Sequence, residues 1–187
     1  MAQWTLTAGH YMRPYRSFKA APTIRHFQCS TAASTALITT GMPVTSDTNV
    51  ATSAFRIVRP KIASSNSQME IAITSLIGIA ADNDTSGGTT SGLANLSNRK
   101  IPVYVADGQT EWIGWCAGAG VVDSTMIGQT KNIIWDSTLK TFFIDSTNST
   151  SALNAVTIVD IPEYAINSTN GPVIFKFLSS LASPVIK

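Results

Sequence analysis

Between Ile101 and Phe177 the chain reads IPVYVADGQTEWIGW, then IGQTKNIIWDSTLKTFFIDSTNST, AVTIVDIP and GPVIFKF, short β-type runs separated by turn residues. Alternation with a period of two places successive side chains on opposite faces, the signature of a strand. In the last run Val173, Phe175 and Phe177 share one face, while Ile174, Lys176 and Leu178 share the other. Runs at 101–106, 110–116, 131–135, 141–145, 155–161 and 172–178 follow one another. Their spacing of about 8–12 residues predicts an all-β fold, an antiparallel β-barrel or sandwich. No stretch shows a helical period with caps.

Upstream, Phe55, Ile57 and Arg59 line one face of an extended run that Pro60 ends. Ile71, Ile73, Ile77 and Ile79 then recur on one face, opposite Ala72, Thr74, Leu76, Gly78 and Ala80. The small residues on that second face would let another backbone approach closely. Residues 28–54, rich in Ser, Thr and Ala, predict a short strand around Leu37 and Ile38 followed by a long loop. Residues 82–99 are a second loop by composition and a candidate contact tip.

Residues 1–27 read as an extended N-terminal arm preceding a single β-domain at 28–187. Pro14 and Pro22 remove backbone donors and disfavour both helix and central strand. Trp4, Tyr11, Tyr15 and Phe18 are interleaved there with Arg13, Arg16, Lys19 and Arg25. These eight residues are the candidate contacts to a partner, aromatic anchors on an extended basic strap. Stacking on nucleic acid is the weaker reading, since the basic residues are sparse and the rest of the chain is acidic.

The charge distribution supports docking. Only 13% of the 187 residues are charged, against a usual value of about 25%. A surface so poor in charge repels itself weakly and tolerates close neighbours. The part before Glu70 carries seven basic residues and one acid, and the part from Glu70 onward carries six basic residues and ten acids. The N-terminal part therefore suits an acidic surface, either another protein or the acidic half of a sister copy. The opening segment lacks the apolar stretch of a secretion signal, and no run is long and apolar enough to span a membrane. Synthesis as a soluble cytoplasmic protein is expected, with no membrane partner. The triplets at Asn83, Asn95, Asn148 and Asn167 are then turn chemistry rather than glycosylation sites.

Little in the sequence suggests catalysis. The two histidines, His10 and His26, both lie in the proposed arm, and in an extended strand His26 and Cys29 would face opposite ways. Cys29 and Cys116 form no disulfide framework and read as small buried hydrophobes. Zinc spacing, a calcium loop after Asp82 and Asp84, and a phosphate cradle all lack required residues, so no cofactor or metal is expected. Asp107 and Glu111 flank a D-G turn. Asp136-Ser137-Thr138 and Asp145-Ser146-Thr147 read as turns in which the carboxylate accepts from the backbone two residues on. Trp112, Trp115 and Trp135 are candidates for core area, with a sugar-stacking platform as the alternative.

IPVYVADGQTEWIGW, NIIWDSTLKTFFIDSTNST, VTIVDI and GPVIFKF together resemble small β-rich structural proteins of tailed bacteriophages, the capsid decoration or cement proteins. The likeness covers residues 70–178 and consists of strand and turn patterns. It implies a virion location on the capsid surface, the major capsid protein as partner, and homo-oligomers, often trimers. It also implies no enzymatic activity. A carbohydrate-binding or host-attachment module is the alternative, and an enzyme with a cryptic carboxylate or serine site is the third reading.

Overall fold

The computed structural model describes residues 3–7, 9–17, 21–29, 38–46, 56–58, 76–82, 100–147 and 154–178. The main sheet contains β1 (Arg13–Ser17), β7 (Thr110–Ala117), β9 (Thr130–Lys131), β10 (Ile133–Asp136), β11 (Thr141–Asp145), β12 (Val156–Asp160) and β14 (Pro172–Phe177). A second set contains β2 (Ile24–Cys29), β3 (Pro43–Ser46), β4 (Arg56–Val58), β5 (Leu76–Ala80) and β6 (Lys100–Val105). Two short strands, β8 (Val121–Val122) and β13 (Ser168–Thr169), pair with each other. Two 3₁₀ turns lie at Ser124–Met126 and Glu163–Ala165. The chain is all-β, as the alternating runs predict.

The main sheet has the order β10-β11-β7-β14-β12-β9, with β1 pairing the first half of β7. β9 and β10 stand at opposite ends of that order, yet only Asn132 separates them in sequence. One stretch of chain, 130–136, thus pairs with β12 at its start and β11 at its end, so the sheet is rolled on itself. The run predicted as one strand at 131–135 is split at Asn132. This fully buried residue turns its side-chain oxygen to the Ile133 amide at 2.7 Å, and its carbonyl accepts from the Asp145 amide at 2.9 Å. A side chain that bonds its own neighbouring backbone competes with the ladder.

In the second set the pairings β2–β4, β4–β3, β3–β5, β5–β6 and β6–β2 return to their start. Phe27, Ile38, Val44, Ile77, Ala80, Ile101, Val103 and Val105 form one core cluster there. A larger cluster gathers Trp112, Phe142, Ile144, Val173, Phe175 and Phe177 of the main sheet with Met42, just before β3, and Leu76 and Ile79 of β5. β5 therefore serves both clusters, and all five of its residues are buried.

This dual role corrects the face assignment made from alternation. Thr45 and Val44 pair with Leu76 and Gly78, leaving Ile77 as an extra residue in β5. The bulge turns Ile77 into one cluster and Ile79 into the other, because an inserted residue shifts the period of two. The small face does admit close backbone approach. A Cβ on Gly78 would stand 1.9 Å from the Tyr104 carbonyl oxygen.

Two further expectations are corrected. Neighbouring strands are not all antiparallel, since β7–β11 and β2–β4 are parallel pairs. Both pairs join strands distant enough in sequence for the crossover that parallel pairing requires. Residues 43–46, assigned to a loop, form a strand bonded on both sides. Among the described residues no helix is long and apolar enough to cross a membrane.

Candidate functional site

The six described residues of the predicted contact set do not form a strap free of the domain. Trp4 donates its amide to the Thr169 carbonyl at 3.1 Å and receives the Asn170 side-chain amide on its own carbonyl at 3.1 Å. Its indole meets Trp115 edge-on, with ring centroids 5.1 Å apart. His10 stacks on Trp115 at 3.8 Å. Met12 is 1% exposed and belongs to the larger core cluster. Arg13–Ser17 is a strand on β7, and Ile24–Cys29 is bonded to both β6 and β4. The N-terminal segment is thus built into both strand sets of its own domain. Pro14 is accommodated because β1 is an edge strand with a bulge beside it.

Arg16 forms an ion pair with Glu111, whose side chain is only 5% exposed and also faces the Lys176 ammonium at 3.5 Å. A carboxylate buried to that degree needs partners to offset its lost hydration. The hydrogen bond to Glu111, then its charge, raises the Arg16 guanidinium pKa above its ordinary value. Arg16 therefore satisfies an internal acid, a role its sequence position does not announce. The β1 bulge leaves Tyr15 as the extra residue between Pro14 and Arg16, and Tyr15 is 52% exposed. Arg13 and Arg25 are exposed and Tyr11 is half-buried. Phe18 and Lys19 lie outside the described residues, as does the 83–99 part of the predicted contact loop.

The carboxylates behave as turn formers. Asp136 accepts from the Thr138 amide at 2.8 Å and Asp145 from the Thr147 amide at 2.9 Å, as the Asp-Ser-Thr sequences predict. Asp107 accepts from Gln109 and Asp123 from Thr125 in the same way. Bonding to the Thr125 hydroxyl and amide holds the Asp123 carboxyl below its ordinary pKa. Asn167, one of the glycosylation-type triplets, sits in a turn at φ 61°. Among the described residues no three His, Cys, Asp or Glu side chains cluster as metal ligands would.

The three tryptophans divide. Trp112 is core. Trp135 lies half-buried against Phe142 at 4.8 Å. Trp115 is half-buried at the surface, with His10 stacked on one face and Trp4 at its side.

Two surface features went unread in the sequence. The first is a groove of about 470 Å³ whose walls include Tyr11, Arg13, Pro14, Pro22, Ile24 and Tyr104. Its lining comes from the residues at and before β1 of the main sheet and from β2, β5 and β6 of the second set. The second is the turn after β12. There Pro162 precedes the Glu163–Ala165 turn, Ala165 points into the core, and Tyr164 is left 63% exposed. Ile166 beside it and Ile127 on the 124–127 turn are also exposed. The IPEYAIN segment carries the only available signal, an aromatic next to an acid between two turn residues.

Comparison of the chain with protein-family models, with curated proteins and with solved structures finds no match.

Proposed function

We propose that this chain is a tailed-phage head decoration, or cement, protein. It binds the outer face of the capsid lattice, bridges neighbouring major capsid proteins, and has no catalytic role. One observation carries the reading: large apolar side chains stand exposed on turns and a bulge that the core holds rigidly. Tyr15 projects from the β1 bulge, Ile24 from the start of β2, and Tyr164 and Ile166 from the turn after β12. Side chains fixed this way lose little conformational freedom on docking, which favours contact surfaces repeated over a lattice. The charge-poor composition supports the same reading, as does the resemblance, whose strand patterns coincide with β6, β7, β10, β11, β12 and β14.

The contact set suggested by the fold is narrower than the N-terminal eight. Arg13, Tyr15 and Arg25 face solvent, whereas Trp4 and Arg16 serve the domain itself. Each buried aromatic anchor supplies on the order of 1 kcal/mol or more, multiplied by avidity over many lattice sites. Purified capsids lacking the protein should rebind it and gain heat resistance. Rebinding should weaken with Tyr15→Ser and persist with Lys140→Ala. Failure to rebind, or rebinding with no gain in heat resistance, sinks the proposal.

A further inference from the structure

We infer that copies of this chain associate head-to-tail, the Glu163–Tyr164 turn of one copy seating in the Tyr11–Arg13–Ile24 groove of the next. The turn is a rigid knob rather than a loose loop. The Ala165 amide bonds the Pro162 carbonyl at 2.8 Å, the Asn167 amide bonds the Val122 carbonyl at 2.8 Å, and Ala165 is fully buried beneath. This framework holds Tyr164 outward as the most exposed of the large hydrophobic side chains described. A tyrosine presented so costs little entropy to bury and carries a hydroxyl for the wet rim of a contact.

The groove matches it in chemistry. Tyr11, Pro14, Pro22, Ile24 and Tyr104 give aromatic and aliphatic walls, and Arg13 supplies an exposed cation. Glu163, exposed beside Tyr164, is its complement. The pairing follows the charge asymmetry of the whole chain, since the groove's cation comes from the basic N-terminal part and the knob from the acidic remainder. A copy cannot fill its own groove. Its Tyr164 is held near Trp4, ring centroids 6.3 Å apart, and is not among its own groove-lining residues. The inferred contact seats one knob in one groove without reciprocal exchange, so it is heterologous and each copy offers one of each.

The test uses free protein without capsids, so its outcome is separate from that of the capsid proposal. Wild-type protein should sediment as an oligomer at roughly 100 μM, with Arg13→Glu and Glu163→Arg each raising the dissociation concentration about tenfold or more. Arg13→Glu spoils only the groove and Glu163→Arg only the knob. Mixing the two variants should restore assembly, because one contact is then native and the other pairs the two reversed charges. If a charge variant fails to fold, Ile24→Ser replaces the groove variant and Tyr164→Ala the knob variant, and that mixture should yield a dimer that grows no further, because only one intact knob meets one intact groove. A monomeric wild type, a folded variant that assembles like wild type, or a mixture that stays monomeric overturns the inference.

Discussion

Cys116 shows what burial does to a single group in this core. Its thiol is fully enclosed, and loss of hydration pushes its pKa up to about 12; Lys131 opposes the shift and Asp145 adds to it. In the unfolded chain the thiol loses its proton near 9.0. Between those values the native state holds a proton that the unfolded state has released, so stability falls as pH rises from about 9 towards 12 and is unaffected below. In a Cys29→Ser background, Cys116 should resist an aromatic disulfide reagent at pH 8 until the protein is unfolded in urea. Rapid native labelling would contradict this burial. At the same scale, the turn role of Asp136 and Asp145 is readable because the interaction is local: acceptor and donor are two residues apart. The role of Arg16 is not, because Glu111 lies 95 residues away and only strand pairing brings it near.

At the scale of elements, the N-terminal segment is the main revision. Its prolines and mixed composition argue against a central strand, and β1 is indeed an edge strand with a bulge. What composition does not reveal is that β7 leaves half an edge open. β14 pairs residues 112–115 on one side, while β11 takes only Cys116 and Ala117 on the other, leaving 110–113 for β1. Met12, just before β1, is then carried into the larger cluster. Met12→Ala should cost about 2–5 kcal/mol in urea unfolding, the range for a large-to-small change in a packed core. A residue on a free arm would move stability by less than about 0.5 kcal/mol, so a change that small would return the segment to an arm.

At the scale of the molecule, β5 couples the two strand sets. Leu76 and Ile79 pack into one cluster while Ile77 and Ala80 pack into the other, so neither set can lose its core without disturbing the shared wall. Unfolding should therefore be a single cooperative transition. Val44 lies in the smaller cluster and is fully buried. Val44→Ala should lower stability by about 1–3 kcal/mol through lost transfer energy and a residual cavity. The shift should be equal whether followed by circular dichroism or by tryptophan fluorescence, although Trp112 belongs to the other cluster. An unchanged tryptophan transition would show two independently folding halves.

The all-β class, the positions of β6, β7, β11, β12 and β14, and the turn chemistry of the aspartates are legible in the sequence alone. Each of these rests on alternation or on bonds between near neighbours, and both are written along the chain. Tertiary structure alone decided that the N-terminal segment is strand rather than strap, that Arg16 answers Glu111, and that His10 and Trp4 cover Trp115. It also decided that Tyr164 stands outside while Trp112 lies inside, and that a groove opens beside Arg13. These outcomes depend on which strand edges remain free once the sheet is rolled, and on where bulges shift the side-chain period. Both are set by pairings between residues far apart in the chain, which no local pattern encodes.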